Sequence, residues 1–435
     1  MRDSIKKGEW KGTISLLRTN GNLVKSSISL STAVGFGAFG GFIFWLLVAR
    51  LAPASIVGGA AALYSSLIFI TYLTGFGLPI AVARYGLSRK QDPSVLFNWS
   101  LVLTTATSFI GAALFLAIVP RELRALSGLG PVGSVLVFGV LGAGISISPI
   151  QDIRLTGQHR RAWVVGKAGF CGLLRIPFIF IPGVAHSEIA LFLLAAGAPA
   201  ICVAGVWILA DMRPVHFRFP LLPMPSESRA ALRYSLVNGA AQLAMTGPYY
   251  ALPVIVLLIV SPRDNAFFYV AWTIATVFLL VIQGCGQALL VEGDRSGGVQ
   301  TQTRAALRLG ILVAIVLAAA GILVSRVLPI LYGSSYVAAA DMLPALSLSI
   351  LPWAVFTVVV NATRVINDQT ANVLLCCSFA ISVLAPAIVL VIQFGINGAA
   401  YAFLLGTVIS AAAALAVLRQ LRKSRFVNAT EVVGR

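Results

Sequence analysis

The sequence predicts an all-α polytopic membrane protein of about twelve transmembrane helices in two pseudo-symmetric six-helix lobes, with both termini in the cytoplasm. Three observations carry that reading. Hydrophobic residues make up 58% of the chain and charged residues only 11%, and the mean hydropathy is +0.93. The apolar runs reach the ~20 residues at 1.5 Å rise that a ~30 Å hydrocarbon layer demands. With the N-terminus in the cytoplasm, 26 of the 32 Lys and Arg fall in the tails, the even-numbered connections and their adjoining helix ends. Such a bias orients membrane helices and favours an even number of spans. Landmarks also recur at offsets of 209 to 212 residues, so the two halves run in the same direction about an axis along the membrane normal.

Residues 1–26 are polar and basic, with no cleavable apolar core, so the first span is expected to remain as a membrane helix. The first half, 27–210, holds spans at 27–49, 57–83, 97–119, 132–153, 163–183 and 188–210. Its opening hairpin carries no charged side chain within either arm and has a short turn with Arg50 and Pro53. A proline-rich connection follows at 211–231 (Pro214, Pro220, Pro223, Pro225) and reads as a cytoplasmic linker between lobes. The second half, 232–418, holds spans at 232–260, 266–291, 306–330, 336–361, 372–393 and 397–418, before a basic tail at 419–435. The repeat rests on Gly75-x-Gly77 with Gly284-x-Gly286, Arg154 with Arg364, and Gly183-Val-Ala with Gly395-Ile-Asn.

The same features exclude much. Outer connections are short, the longest at 120–130, so no extracytoplasmic catalytic domain fits and no enzyme is expected. The five cysteines lie in apolar segments without ligand spacing and the three histidines form no constellation, so neither a metal nor a cofactor is expected. The net charge of +18 sits at span ends, where it attracts anionic lipids rather than nucleic acid. None of the seven acidic residues of the first half reads as lying deep within a span. A cation-coupled exporter of cationic drugs would need such a carboxylate, so an anionic or neutral polar cargo fits better.

Candidate pathway residues follow from polar groups placed in spans. Arg175 sits mid-span in Gly172-Leu-Leu-Arg175-Ile-Pro177. A charge there costs roughly 2.5–3.5 kcal/mol on insertion and must face protein or water. It either bonds carbonyls freed by Pro177 or neutralises an anionic head group, and the second is the expectation. Lys167, nearer the span end, reads as a snorkelling anchor. Asn238, Gln242, Thr246 and Tyr249 or Tyr250 share one face of span 7, which Pro248 and Pro253 interrupt; Gln283 and Gln287 answer from span 8. These neutral donors and acceptors suit sugar hydroxyls, the alternative being hydrogen bonds that only join helices. Arg84, Arg154 and Arg364 end their spans on the cytoplasmic side, as lipid-phosphate anchors or as an access funnel for an anionic head group. The glycines of span 1 read as close-packing positions.

The chain resembles the polysaccharide-transport branch of the multidrug/oligosaccharidyl-lipid/polysaccharide exporter superfamily, the O-antigen and exopolysaccharide flippases. Leu47-Val-Ala-Arg50-Leu-Ala-Pro53, Gly75-Phe-Gly77-Leu-Pro79 running to Arg84-Tyr85-Gly86, Leu331-Tyr-Gly333-Ser-Ser-Tyr336 and Gly395-Ile-Asn-Gly398-Ala-Ala-Tyr401-Ala carry the likeness. Ala52-Pro53 stands where the family often has Gly-Pro, a departure that bears on the turn. The resemblance implies a flippase of the bacterial inner membrane that moves polyprenyl-diphosphate-linked oligosaccharide to the outer leaflet by alternating access. It also implies membrane lipids and a polysaccharide polymerase or assembly proteins as partners. The alternative in the same superfamily is a cation-coupled multidrug exporter.

Overall fold

A computed structural model describes residues 35–75, 77–79, 82, 93–118, 129–158, 160–210, 226–292, 298–333, 336–366 and 368–433. The expected N-terminal tail, Arg84 and residues 211–225 of the linker lie outside the described residues. The described chain is all-helical. The first half contributes α1 (Gly35–Leu51), α2 (Ala54–Thr74), α3 (Pro93–Ile118), α4 (Gly130–Gly157), α5 (Arg161–Leu174) and α6 (Glu188–Ala210). The second contributes α7 (Ser226–Ile259), α8 (Pro262–Glu292), α9 (Gly298–Tyr332), α10 (Val337–Leu348), α11 (Ile350–Val365), α12 (Gln369–Phe394) and α13 (Ile396–Val433). Ten of the described helical stretches are long and apolar enough to cross a membrane by themselves, and the bent pair α10–α11 makes an eleventh. This is a multi-pass membrane protein, and α1 is the described part of the remaining expected span.

Two spans are broken, each at a proline. Between α10 and α11 the axis turns by 42°. Pro352 lacks the N–H that would meet the Leu348 carbonyl, so the ladder cannot pass through that point unchanged. In the fifth span α5 stops at Leu174 and short 3₁₀ turns follow at Pro177–Phe180 and Val184–His186. Gly183 there takes φ +86°, a conformation that glycine reaches without strain. Irregular backbone at membrane depth persists only where protein or a cavity covers it. By contrast, α7 is continuous through Pro248 and Pro253, where an interruption was expected. It also begins at Ser226, so residues 226–231 belong to the helix and not to the linker.

The last turn of α1, before the α1–α2 turn, meets the last turn of α9 at one end of the bundle, called here the far end. Helix α2 packs on both α7 and α8 and so forms the seam between the halves. Along it Tyr269 of α8 joins a core cluster of first-half residues that includes Phe44 and Trp45. The second half has one large core around Trp353, Phe356, Phe379 and Phe403 with a small satellite at Val358 and Ala362, whereas the first is divided among smaller clusters.

Candidate functional site

A chamber of about 200 Å³ lies on the seam. Its walls come from both halves: Gly37, Ala38, Gly41, Phe42 and Trp45 of α1, Tyr64 and Ser65 of α2, and Arg175 at the end of α5. Facing them are Tyr249 and Tyr250 of α7 and one stripe of α8, Tyr269, Trp272, Thr273, Thr276, Val277 and Leu280. The stripe recurs at three- and four-residue spacing, which keeps it on one helical face.

The glycines of α1 position the cation. A Cβ on Gly40 would stand 2.5 Å from Gly172 Cα, so α1 and α5 touch backbone to backbone there. The contact brings Arg175, three residues on from Gly172, to α1, where a Cβ on Gly41 would meet its Nη2 at 3.3 Å. Arg175 is only 7% exposed. Its Nη1 donates to the Ala195 carbonyl at 3.4 Å, its guanidinium lies 5.1 Å from the Phe44 ring centre, and the Tyr64 hydroxyl stands beside it. Its Nε meets no acceptor among the described residues, and no carboxylate there forms an ion pair with it. Charge taken out of water needs partners, and here a backbone carbonyl and a ring face supply part of that need while Nε stays open to an acceptor.

Rings supply the remaining surface. Trp45 meets Tyr269 edge-on at 4.8 Å across the seam, and Tyr72 stacks on Tyr250 at 5.8 Å. Tyr249 reaches into the second-half core against Trp272 and Trp353, and its hydroxyl has no partner among the described residues. An aromatic box with one cation suits a ligand that joins an apolar or ring-bearing body to a negative group.

Among the sequence candidates, the chamber brings together Arg175, Tyr249 and Tyr250. Asn238, Gln242, Thr246 and Gln283 do not line it. Asn238 donates to the Tyr234 carbonyl at 2.8 Å and Thr246 to the Gln242 carbonyl at 2.7 Å, bonds within their own helix. The Gln287 side chain and all of Arg84 lie outside the described residues. Arg154 holds its guanidinium 4.7 Å from the centre of the Phe97 ring, and Arg364 donates to Asn372 Oδ1 at 3.2 Å. Sequence reasoning did not single out Trp45, Tyr64 or the α8 stripe. The recurrence of Tyr269, Trp272, Thr273 and Thr276 on one face was the available signal.

Lys167 is not a snorkelling anchor. It is buried, with Nζ 2.6 Å from Asp152 Oδ1 and donating to the Ser148 carbonyl and hydroxyl at 3.0 and 2.9 Å. Its partner Asp152 is half-buried, with its side chain 27% exposed, and lies in the last turns of α4, which continues to Gly157, past the expected end at 153. Among the described residues no group of three or more His, Cys, Asp or Glu could hold a metal ion.

No family model matches the sequence, and no curated protein does. Solved structures do match. An inward-facing multidrug resistance MATE family transporter of the MOP superfamily aligns with TM-score 0.68 at 15% identity, covering 93% of this chain and 98% of that one. An outward-facing conformation aligns at 0.63 and 15%, covering 94% and 97%. A MOP superfamily transporter from Pyrococcus furiosus, described as having a binding pocket of reverse polarity that suggests a different function, aligns at 0.63 and 15%, covering 93% and 96%. At this identity the likeness is one of architecture, and over nearly its whole length the chain has the fold of the MATE transporters of the MOP superfamily.

Proposed function

We propose that this chain is a transporter of the bacterial inner membrane that works by alternating access, its two lobes (27–210 and 232–418) rocking about the seam chamber. Both termini face the cytoplasm in this reading, which the distribution of 26 of the 32 Lys and Arg supports. The fold neighbours are named multidrug transporters, and they support an exporter of amphiphilic compounds better than a lipid-linked sugar flippase.

One observation carries the cargo reading: the buried Arg175 has an open Nε and no carboxylate partner among the described residues. The cargo is therefore an amphiphile with a negative group, taken up by Arg175 while its body packs against Trp45, Tyr64 and Tyr250. The Pyrococcus furiosus neighbour supports letting pocket polarity, rather than fold, decide the cargo. Moving each negative charge outward down an inside-negative potential gains roughly 2.3 kcal/mol per 100 mV. The same cation favours a second reading, export of polyprenyl-diphosphate-linked oligosaccharide with its lipid tail left in the bilayer. There Asn238, Gln242, Thr246, Gln283 and Gln287 would meet sugars in a wider state, and Arg84, Arg154 and Arg364 would guide the diphosphate. A polysaccharide polymerase or assembly proteins would be partners in that case only.

Cells with and without the protein separate these readings. Lower retention of an anionic amphiphilic dye, with cationic dyes unaffected, is the expected result. Cytoplasmic-leaflet accumulation of lipid-linked oligosaccharide on deletion, with dye retention unchanged, would move the assignment to the flippase. Lower retention of cationic dyes alone would contradict the role given to Arg175.

A further inference from the structure

Two motifs of the sequence, Leu47–Pro53 and Leu331–Tyr336, take no part in the chamber, yet they meet at the far end of the bundle. Arg50, in the last turn of α1, donates Nε to the Leu331 carbonyl and Nη2 to the Ile330 carbonyl, the latter at 2.9 Å. Those carbonyls belong to the last turn of α9, where helix carbonyls lack partners further along the chain and carry partial negative charge. A second contact runs the opposite way. Asn265 of α8, fully buried, donates Nδ2 to the Gly58 carbonyl of α2 at 2.8 Å. Gly58 leaves no room for a Cβ, since the Pro262 carbonyl occupies that position. Each half thus sends a side chain to a backbone carbonyl of the other, and the Trp45–Tyr269 contact closes the seam beneath.

We propose that Arg50 and Asn265 form a reciprocal latch that holds the far end of the chamber shut, and that its release exposes the chamber on that side. The proposal rests on the transporter reading. Both contacts cross the seam, so neither survives a separation of the halves at that end. Both use backbone acceptors, which remain in place whatever cargo is bound. The latch therefore sets the resting population of the two openings without contacting cargo.

The test uses the full chain in proteoliposomes with Thr276→Cys on the chamber wall as reporter. A membrane-impermeant maleimide is applied from either side, and labelling of the chain without that cysteine is subtracted. Arg50→Ala and Asn265→Ala should each raise far-end labelling by about five- to tenfold, the population shift that losing one such hydrogen bond allows. Arg50→Lys, which keeps a donor but not the fork, should fall between Arg50→Ala and the unmodified latch. Unchanged far-end labelling in correctly folded Arg50→Ala and Asn265→Ala would overturn the latch. If Asn265→Ala does not fold, the exposed Arg50 carries the test through its alanine and lysine variants. Absence of any transport by the wild type, with labelling shifted as expected, would remove the transporter reading and leave the latch in place.

Discussion

At the residue scale the proposal turns on Arg175, which the sequence singled out because a charge at mid-span must have a use or a partner. Its surroundings were not legible, because they come from three other helices, α1, α2 and α6. Replacing it with glutamine keeps the length and hydrogen-bonding capacity but removes the charge. Arg175→Gln should lower uptake of an anionic amphiphile at least tenfold, the scale of one lost charge-assisted bond. Arg175→Lys should retain part of it, since a point charge remains without the guanidinium fork. The pair Asp152–Lys167 gives the opposite lesson. Each residue taken alone resembles an anchor near a span end, and only the packing of α4 on α5 reveals that they meet at 2.6 Å. Lys167→Met should cost about 3–5 kcal/mol by stranding a carboxylate, and adding Asp152→Leu should recover most of it. Thermal unfolding in detergent reads both values, and additive losses would show that the pair is not coupled.

At the scale of elements, hydropathy located the described spans while their ends moved: α7 begins at Ser226 and not at 232, and α9 at Gly298 and not at 306. It erred at element ends. Helices α4, α7 and α13 run beyond their apolar stretches, since the backbone bonds of a helix are made within the segment and continue through polar residues. Prolines were equally ambiguous. Pro177 and Pro352 coincide with breaks, whereas α7 passes through Pro248 and Pro253. The glycines of α1 were read together as packing positions, and the structure separates them: Gly40 meets the Gly172 backbone, whereas Gly35 and Gly37 meet nothing within 4 Å. Gly40→Ala should lower stability by about 1–3 kcal/mol, because the Gly172 backbone has to move. Gly35→Ala meets nothing within 4 Å and should stay within about 0.5 kcal/mol of wild type. Equal melting temperatures for the two variants would contradict the α1–α5 contact that aims Arg175.

At the scale of the whole molecule, composition and charge distribution pointed to a multi-pass helical transporter, and the fold agrees with that architecture. The motifs pointed further, to a polysaccharide flippase, but they encode turns and helix contacts. Leu47–Pro53 and Leu331–Tyr336 prove to be two sides of one seam contact, which says how the halves meet and nothing about cargo. The proposal assigns cargo choice to the chamber, whose lining is drawn from separate spans and is not contiguous in sequence. The most direct measurement is uptake of paired anionic and cationic amphiphilic dyes, matched in size, into proteoliposomes holding wild type or Arg175→Gln under an imposed membrane potential. Wild type should move the anionic dye and not the cationic one, and Arg175→Gln should lose that transport while retaining its fold. Equal transport of both dyes, or anionic transport unaffected by Arg175→Gln, would contradict a chamber whose selectivity rests on one buried cation.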